Sequence, residues 1–474
     1  MVDLKRAEYV KDGLAVSLKS EIPRLRNTTI SHNLIPLHGP SMDAQLITVR
    51  REFGRISDQY NQNGEIALSD ALMSGVAMFI LKDPSLFASE YRRRADAVNL
   101  KRIFGIKQPP CDTLMRELLD SVDPELIRPL IRTVFSQLQQ SRALERLAFY
   151  QGNYLLSING PGRLLPFGKS QVGPCPNLKG QNAAEAYYQQ VLGAAIVHPN
   201  FREAIPFCPV MIRKKDGTTK NDSECNTPQS FLAKLREDHP QLKLIVVADG
   251  LSSNGSCVRD LQKHDMHFIL GAKPGNHLLL FHIVEIAVQQ GAATVFSMID
   301  PQEPQITHTF RFLNGVPLNQ TNRNLIVNFL GYEEHDARTN NTSCFSWVTD
   351  FEITHENALT LMRGGRSSWN IEKETLNTLT NQVRDMEYVY GQDKGHLSEV
   401  LVMLMMLAFL IEQTQQLTST LFRAASSKVG SKGALWEQQR NLFHFFELDS
   451  MAMLYTTIAT GFRKSRPVTC MNNG

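Results

Sequence analysis

Of the groups in this 474-residue chain that could do chemistry, Asp249 is the best placed: it ends the apolar run LKLIVVADG (242–250) and Gly250 follows it. A carboxylate at the carboxyl end of a buried strand suits phosphoryl transfer, in which two divalent ions activate the attacking oxygen and stabilise the leaving one. The glycine lets a metal or a backbone approach closely. A turn-forming aspartate gives the same pattern. Asn159-Gly160-Pro161-Gly162 follows a strand-like run as a phosphate loop would, but the third glycine is missing at the required distance. His264 and His267 are spaced like ligands, yet no Cys or second His cluster accompanies them, and a helix-end turn accounts for them. Lys273, in GAKPG, follows a strand that faces the same edge as Asp249 and is a candidate phosphate contact. Further candidates are Arg50-Arg51, Arg92-Arg93-Arg94, Arg213-Lys214-Lys215, Arg363 with Arg366, and Arg463-Lys464-Ser465-Arg466, each with a solvated face as the alternative. Trp347 and Trp369 could stack on an unstacked base or pack in a core.

The elements that must position these groups change in texture along the chain. From about 44 to 148 apolar residues recur at helical spacing, as in ALSDALMSGVAMFIL and ELIRPLIRTVFSQLQQSRALERLAFY, with Pro109-Pro110 separating two helices. Near residue 150 short apolar runs bounded by Gly, Pro and Asn take over: YLLSING, VLGAAIVHP, AIPFCPVMI, LKLIVVADG and HFILGAKPG. Helical stretches, TPQSFLAKLREDH and NGSCVRDLQKHD, lie among them, which predicts an α/β layer, and the unbroken LIVV predicts a strand covered on both faces. Between roughly 308 and 353, aromatic and β-branched alternation with Asn-Gly and Asn-Asn turn signals predicts an inserted antiparallel sheet. The remainder reads as helix near 355–363, 369–384, 396–424 and 431–462.

Composition bounds rather than identifies the protein. With 42% hydrophobic and 20% charged residues and no long Pro/Gly/Ser tract, the chain is an ordinary globular one. A formal net charge of +3 and a pI of 8.4 neither require nor oppose a polyanionic partner. Seven scattered cysteines without a CxxC pair indicate neither a disulfide framework nor a zinc site, and fit a reducing cytosol. MVDLKRAEYVKDG has no apolar signal region. The run Val400 to Ile411 falls short of the roughly 20 residues a bilayer crossing needs and reads as a buried helix, so no membrane partner is expected.

LKLIVVADGLSSNGSCVRDLQKHDMHFILGAKPG, followed about a hundred residues later by LMRGGRSSWNIEKETLNTLTNQ, resembles the second and third catalytic blocks of the insertion-sequence-four family of DDE transposases. The resemblance continues through HLSEVLVMLMMLAFLIEQ and LWEQQRNLFHFFELDSMAMLY, and reaches upstream to ALSDALMSGVAMFILKDPSL and PPCDTLMRELLD. It implies an RNase H-like mixed sheet flanked by helices, with an antiparallel β insertion between the second and third acidic residues. The expected domains are a helical, DNA-end-binding segment over 1–148, an RNase H-like domain over 149–390 with its insertion at about 276–350, and a carboxy-terminal helical region over 391–474.

The same resemblance implies the site. The third carboxylate falls on Glu372, three residues after Trp369, and Glu372, Leu376, Leu379 and Val383 share one helical face. The family's Tyr-x2-Arg-x3-Glu-x6-Lys signature is otherwise damaged: its tyrosine position falls on Gly365, its arginine on Ser368, its lysine on Leu379 or Thr380. Arg363 and Arg366 are candidates to replace the lost cation, and Trp369 and Lys273 are candidate DNA contacts. The first aspartate position falls on Asn159, in YLLSINGPGRLLPFG, and no Asp lies between Asp123 and Asp216. A two-ion Mg²⁺ or Mn²⁺ site would rest on Asp249 and Glu372, weakened by the uncharged Asn159, because hard cations bind chiefly through carboxylates. The implied function is DNA transposition of a bacterial insertion sequence: binding of terminal inverted repeats, with cleavage and transfer to target DNA impaired. The alternative is a non-catalytic DNA-binding relic or regulator. A homodimer on DNA through the carboxy-terminal helices, in the cytoplasm and at the nucleoid, is the expected working form.

Overall fold

The computed structural model describes residues 39–57, 66–83, 86–158, 190–212, 220–248, 253–368 and 395–461. The described chain opens with α1 (Met42–Phe53), α2 (Leu68–Leu81), α3 (Leu86–Ala95), α4 (Ala97–Phe104), α5 (Asp112–Asp120) and α6 (Arg128–Gln140). Strands follow: β1 (Ala148–Tyr150), β2 (Asn153–Ile158), β3 (Gln190–Leu192), β4 (Ala194–His198), β5 (Phe201–Pro206) and β6 (Val210–Ile212). Next come α7 (Lys220–Asp238), β7 (Leu244–Ala248), α8 (Gly255–Lys263) and β8 (His267–Gly271). The insertion holds α9 (Leu278–Gln289), β9 (Thr294–Ile299), β10 (Ile306–Pro317), β11 (Ile326–Asp336) and β12 (Asn341–Thr349). α10 (Ala358–Arg366), α11 (Leu397–Thr418), α12 (Thr420–Val429), α13 (Lys432–Phe445) and α14 (Met451–Thr460) complete it.

One large mixed sheet organises these elements, in the order β5-β4-β2-β7-β8-β12-β11-β10-β9, with β1 paired to β2. β4 is antiparallel to β5 and β2, whereas β2, β7 and β8 run parallel. An antiparallel meander followed by two parallel strands on the far side of the first is the RNase H-like order that the sequence implied. Every residue of β7 is buried, and since alternate side chains point to opposite faces, both faces are covered there. The insertion continues the same sheet: β12 pairs antiparallel with β8, then β11, β10 and β9 extend it.

The helices of the first and last segments pack on one another. α2 is apolar on every side and buried along nearly its whole length, as such a helix must be. It lies against α11, and Gly75 lets the two approach closely: a Cβ at that position would sit 2.6 Å from Leu404 Cδ1, so that leucine would have to shift. α11 also packs on α5, α6 and β5. At 22 residues and a mean hydropathy of 1.7 it is longer than its apolar run suggested and could cross a membrane by length and composition, but 94% of its apolar window is buried inside this chain. It is the core helix of the bundle and leaves no free apolar face for a partner.

Four expectations need correction. Asn314-Gly315 is no hairpin turn: it lies within β10 at a break in register between Leu313 and Val316, with Gly315 at φ 73° and the Asn314 side chain holding both backbone groups of Ile353. It is a bulge, which the left-handed glycine allows. The helix expected over 396–424 breaks at Ser419, whose backbone is extended and whose hydroxyl accepts from the Phe422 amide to start α12. The helix expected over 431–462 ends at Phe445, and Ser450 caps α14 in the same way. Finally, the inserted sheet begins earlier than its alternation suggested, because α9 and β9 precede it.

Candidate active site

Asn159, Asp249, Trp369 and Glu372 lie outside the described residues, but the segments that lead into them do not. β2 and β7 are parallel neighbours with Ser157 opposite Val247, so both strands run out at the same edge of the sheet. The third segment reaches that edge through α10. Ser157, 1% exposed, donates its hydroxyl proton to the backbone carbonyl of Ser368 at 3.2 Å. Ile158, Ala248 and Ser368, the last described residues before the three acidic-site positions, are therefore brought together from distant parts of the chain.

The glycines of α10 set how closely it docks. A Cβ at Gly364 would lie 2.8 Å from Phe149 Cε1 and 3.1 Å from Ile269 Cδ1, and one at Gly365 would overlap the Trp347 indole. Leu361 and Met362 are buried in the same core. Trp347 is thus a packing residue, 5% exposed, and it fills the volume that a side chain at 365 would need. The close approach of the indole therefore leaves no room for a larger side chain at 365. Ser367 and Ser368 return their hydroxyls to the carbonyls of Gly364 and Gly365, which keeps the end of the helix closed on itself.

The three described DNA-contact candidates differ in their freedom. Lys273 is exposed in the turn after β8, where its carbonyl accepts from the amides of Asn276 and His277. Arg363 is exposed and donates to Asn200 Oδ1, in the β4–β5 turn, at 2.5 Å. Arg366 is engaged: it pairs with Glu334 at 2.7 Å and lies over the Phe345 ring at 4.9 Å. Glu334 also accepts from the Tyr332 hydroxyl, which meets His308 Nδ1 at 2.7 Å, while His308 Nε2 meets Asp300 at 3.0 Å. Burial opposes a charge on Glu334, but the hydrogen bonds from Tyr332 and Arg366 outweigh it and hold its carboxyl below the ordinary range. The hydrogen bond from His308 lowers Asp300 likewise. This polar chain crosses the inserted strands and ties them to α10, a link that sequence reading missed because its members are spread over 67 positions from Asp300 to Arg366.

Two other basic clusters are partly engaged in ion pairs. Arg92, with its side chain 11% exposed, bridges Asp83 and Asp96 at 2.6 and 2.7 Å, while Arg93 and Arg94 both pair with Glu90. Arg50 pairs with Asp70 and Arg51 with Glu52. Arg50 and Arg92 are held in ion pairs that build the helical bundle, whereas Arg51 and Arg94, with side chains 61% and 73% exposed, keep the solvated position of a phosphate candidate. Arg213-Lys214-Lys215 and residues 463–466 lie outside the described residues.

A second buried contact near this edge was also missed. Ser253 Oγ and His277 Nε2 meet at 2.7 Å, which ties the segment after β7 to the start of α9. Burial lowers His277 below the ordinary histidine range and so favours its neutral ring. The available signal was only two isolated polar residues 24 positions apart. Among the described residues no group of three or more His, Cys, Asp or Glu side chains is placed to hold a metal ion.

No protein-family model matches the sequence, and neither does any curated protein. Among solved structures, the chain is similar to the cryo-EM structure of the piggyBac transposase synaptic complex with hairpin DNA, at 13% identity and a TM-score of 0.38. That match covers 92% of this chain and 86% of the other. Likeness at this level transfers neither chemistry nor partners.

Proposed function

We propose that this chain is a transposase-like DNA-binding protein of the bacterial insertion-sequence type, acting in the cytosol on nucleoid DNA, with strand cleavage impaired at the first acidic position. The observation that supports it is the convergence of β2, β7 and the end of α10 on one edge of an RNase H-like sheet. In this reading those elements carry Asn159, Asp249 and Glu372 to one place, the arrangement that metal-assisted phosphoryl transfer requires. The donor set itself falls short. Two carboxylates and an amide bring at most two negative charges, against four positive charges on two divalent ions, and hard cations favour charged oxygens. The residues do not fit a full two-ion centre, so no cleavage step is assigned to the natural chain.

In this reading the helical amino-terminal segment reads the terminal inverted repeats, exposed Lys273 and Arg363 contact phosphate, and Trp369 lies beside the DNA. Arg366 is the weaker phosphate candidate because Glu334 already neutralises it. Asn159→Asp supplies the test. That variant is expected to nick a labelled terminal-repeat duplex with Mg²⁺ or Mn²⁺ while the natural chain does not. Equal activity in both would overturn the reading of the site. Retention of DNA by both chains, falling steeply as salt rises, is expected because cationic side chains release condensed counterions. DNA binding without cleavage in either chain would favour the second reading, a non-catalytic regulator derived from a transposase.

A further inference from the structure

β9 ends the sheet, and among the described residues no strand pairs with its outer edge. Native edge strands are normally blunted by lysine, proline, a bulge or a cover. This one reads Thr-Val-Phe-Ser-Met-Ile, with no charge and no proline, and its register with β10 is unbroken from Thr294 to Ile299. The opposite edge of the sheet is managed: α11 packs on β5, which ends in Pro206.

The backbone shows which groups are free. The Asp300 amide donates to the Ile306 carbonyl, so in this antiparallel pair the even-numbered residues of β9 bond to β10. The N–H and C=O groups of Val295, Ser297 and Ile299 therefore point outward, and Val295 and Ile299 also carry exposed side chains, at 51% and 62%. Leu278, Ile286 and Val288 of the neighbouring α9 are exposed as well, although that helix is apolar enough to belong in an interior. Exposed apolar side chains on an edge strand whose backbone groups are also free mark an interaction surface.

We infer that this edge pairs with β9 of a second copy of the chain, about a two-fold axis at Ser297. In antiparallel pairing a residue faces one on the same side of the sheet, which puts Val295 opposite Ile299 of the second copy, Ser297 opposite itself, and Phe296 opposite Met298. The Val295–Ile299 and Phe296–Met298 pairs are apolar and each is made twice, and the Ser297 pair on the axis is neutral, so the strand is complementary to itself. The outward groups of three residues on each copy meet as hydrogen-bonded pairs. A charged or bulged strand could not do this, and an unrelated peptide would match the backbone without matching the side chains. Because β5 is covered, the pairing closes at two copies instead of running on as a fibre. The association needs no DNA and does not depend on the reading of the active site.

Sedimentation velocity of the full chain without DNA, over a dilution series, tests it. A reversible dimer is expected, weakened at least ~100-fold by Val295→Lys or Ile299→Lys, since each places two charges against an apolar partner. Both positions are exposed, and unchanged far-UV circular dichroism will show that the variants still fold. As a second measurement, Ser297→Cys should be joined chain to chain by a short bismaleimide more efficiently than the parent, whose seven native cysteines set the background, and more than Thr309→Cys, one strand further in. A chain that stays monomeric, a dimer indifferent to both lysines, or equal cross-linking at 297 and 309 would overturn the inference.

Discussion

The contact between Gly365 and Trp347 decides how α10 lies on the sheet, and its sign can be measured. Replacing a helical glycine by alanine ordinarily stabilises by up to ~1 kcal/mol, because alanine restricts the unfolded chain and suits the helix. Here the added methyl would overlap the Trp347 indole, and Trp347 is held between the β11 and β8 strands by its register with Leu330 and Gly271. Overpacking of this kind costs ~1–3 kcal/mol. The net expectation for Gly365→Ala is a loss of ~1–2 kcal/mol. Trp347→Ala alone should cost ~3–5 kcal/mol from the cavity it leaves. In that background, however, Gly365→Ala has room and should become stabilising by up to ~1 kcal/mol. Urea unfolding followed by far-UV circular dichroism, on the four chains of the cycle, reads this as a coupling of ~2–3 kcal/mol. Stabilisation by Gly365→Ala in the natural chain, or the same change in both backgrounds, would falsify the close docking of α10 and with it the route by which Ser368 reaches Ser157.

Two further predictions concern the framework. Lys82 and Glu412 form an ion pair at 2.5 Å with side chains 5% and 12% exposed, so Glu412→Ala should cost ~3–5 kcal/mol by stranding the ammonium. Lys82→Met with Glu412→Leu should recover most of that loss, short of the Trp436 indole N–H left without its acceptor; thermal melts of the three chains check both. Burial lowers His198 and His239 from 6.5 to about 4, so the unfolded chain binds more protons than the folded one between those values. Stability should accordingly fall as pH drops from 6.5 towards 4, and His239→Phe, which keeps the ring contacts with Phe135 and Phe207, should flatten part of that fall in urea titrations at stepped pH.

The sheet was legible where one physical cue dominates. An unbroken LIVV requires cover on both faces, and β7 has it. The apolar run around 400–411 marked the core helix, though not its true ends. α9 escaped because it is apolar without a period, so no face could be read from it, and β9 escaped because its alternation covers only six residues after that helix. Asn314-Gly315 misled because the same dipeptide serves a turn and a bulge, and only pairing across the sheet separates them. Basic clusters misled for a related reason. Asp83 is nine positions from Arg92, so that pair depends on tertiary folding, whereas Glu90 with Arg93 and Arg94 makes i,i+3 and i,i+4 pairs within one helix that the spacing could have shown. Near the candidate site, the strand that leads to Asp249 was visible, whereas the Ser157–Ser368 hydrogen bond joins residues 211 positions apart and gives no sequence signal.

A site of converging acids works against the stability of its own scaffold, because like charges held close repel unless a cation intervenes. If Asn159, Asp249 and Glu372 meet as proposed, the amide relieves that repulsion. The scaffold contacts, Ser157 with Ser368 and the α10 glycines with Phe149 and Trp347, hold equally well with or without a working centre. Asn159→Asp should then lower the melting temperature of the metal-free chain, and Mn²⁺ should restore it more in the variant than in the natural protein. At tenfold excess over its Kd, a bound ion adds ~1.4 kcal/mol. The comparison reads metal affinity through stability and needs no DNA substrate. An Asn159→Asp chain that melts no earlier than the natural one in chelator, and gains nothing extra from Mn²⁺, would mean that position 159 does not share a site with the two carboxylates.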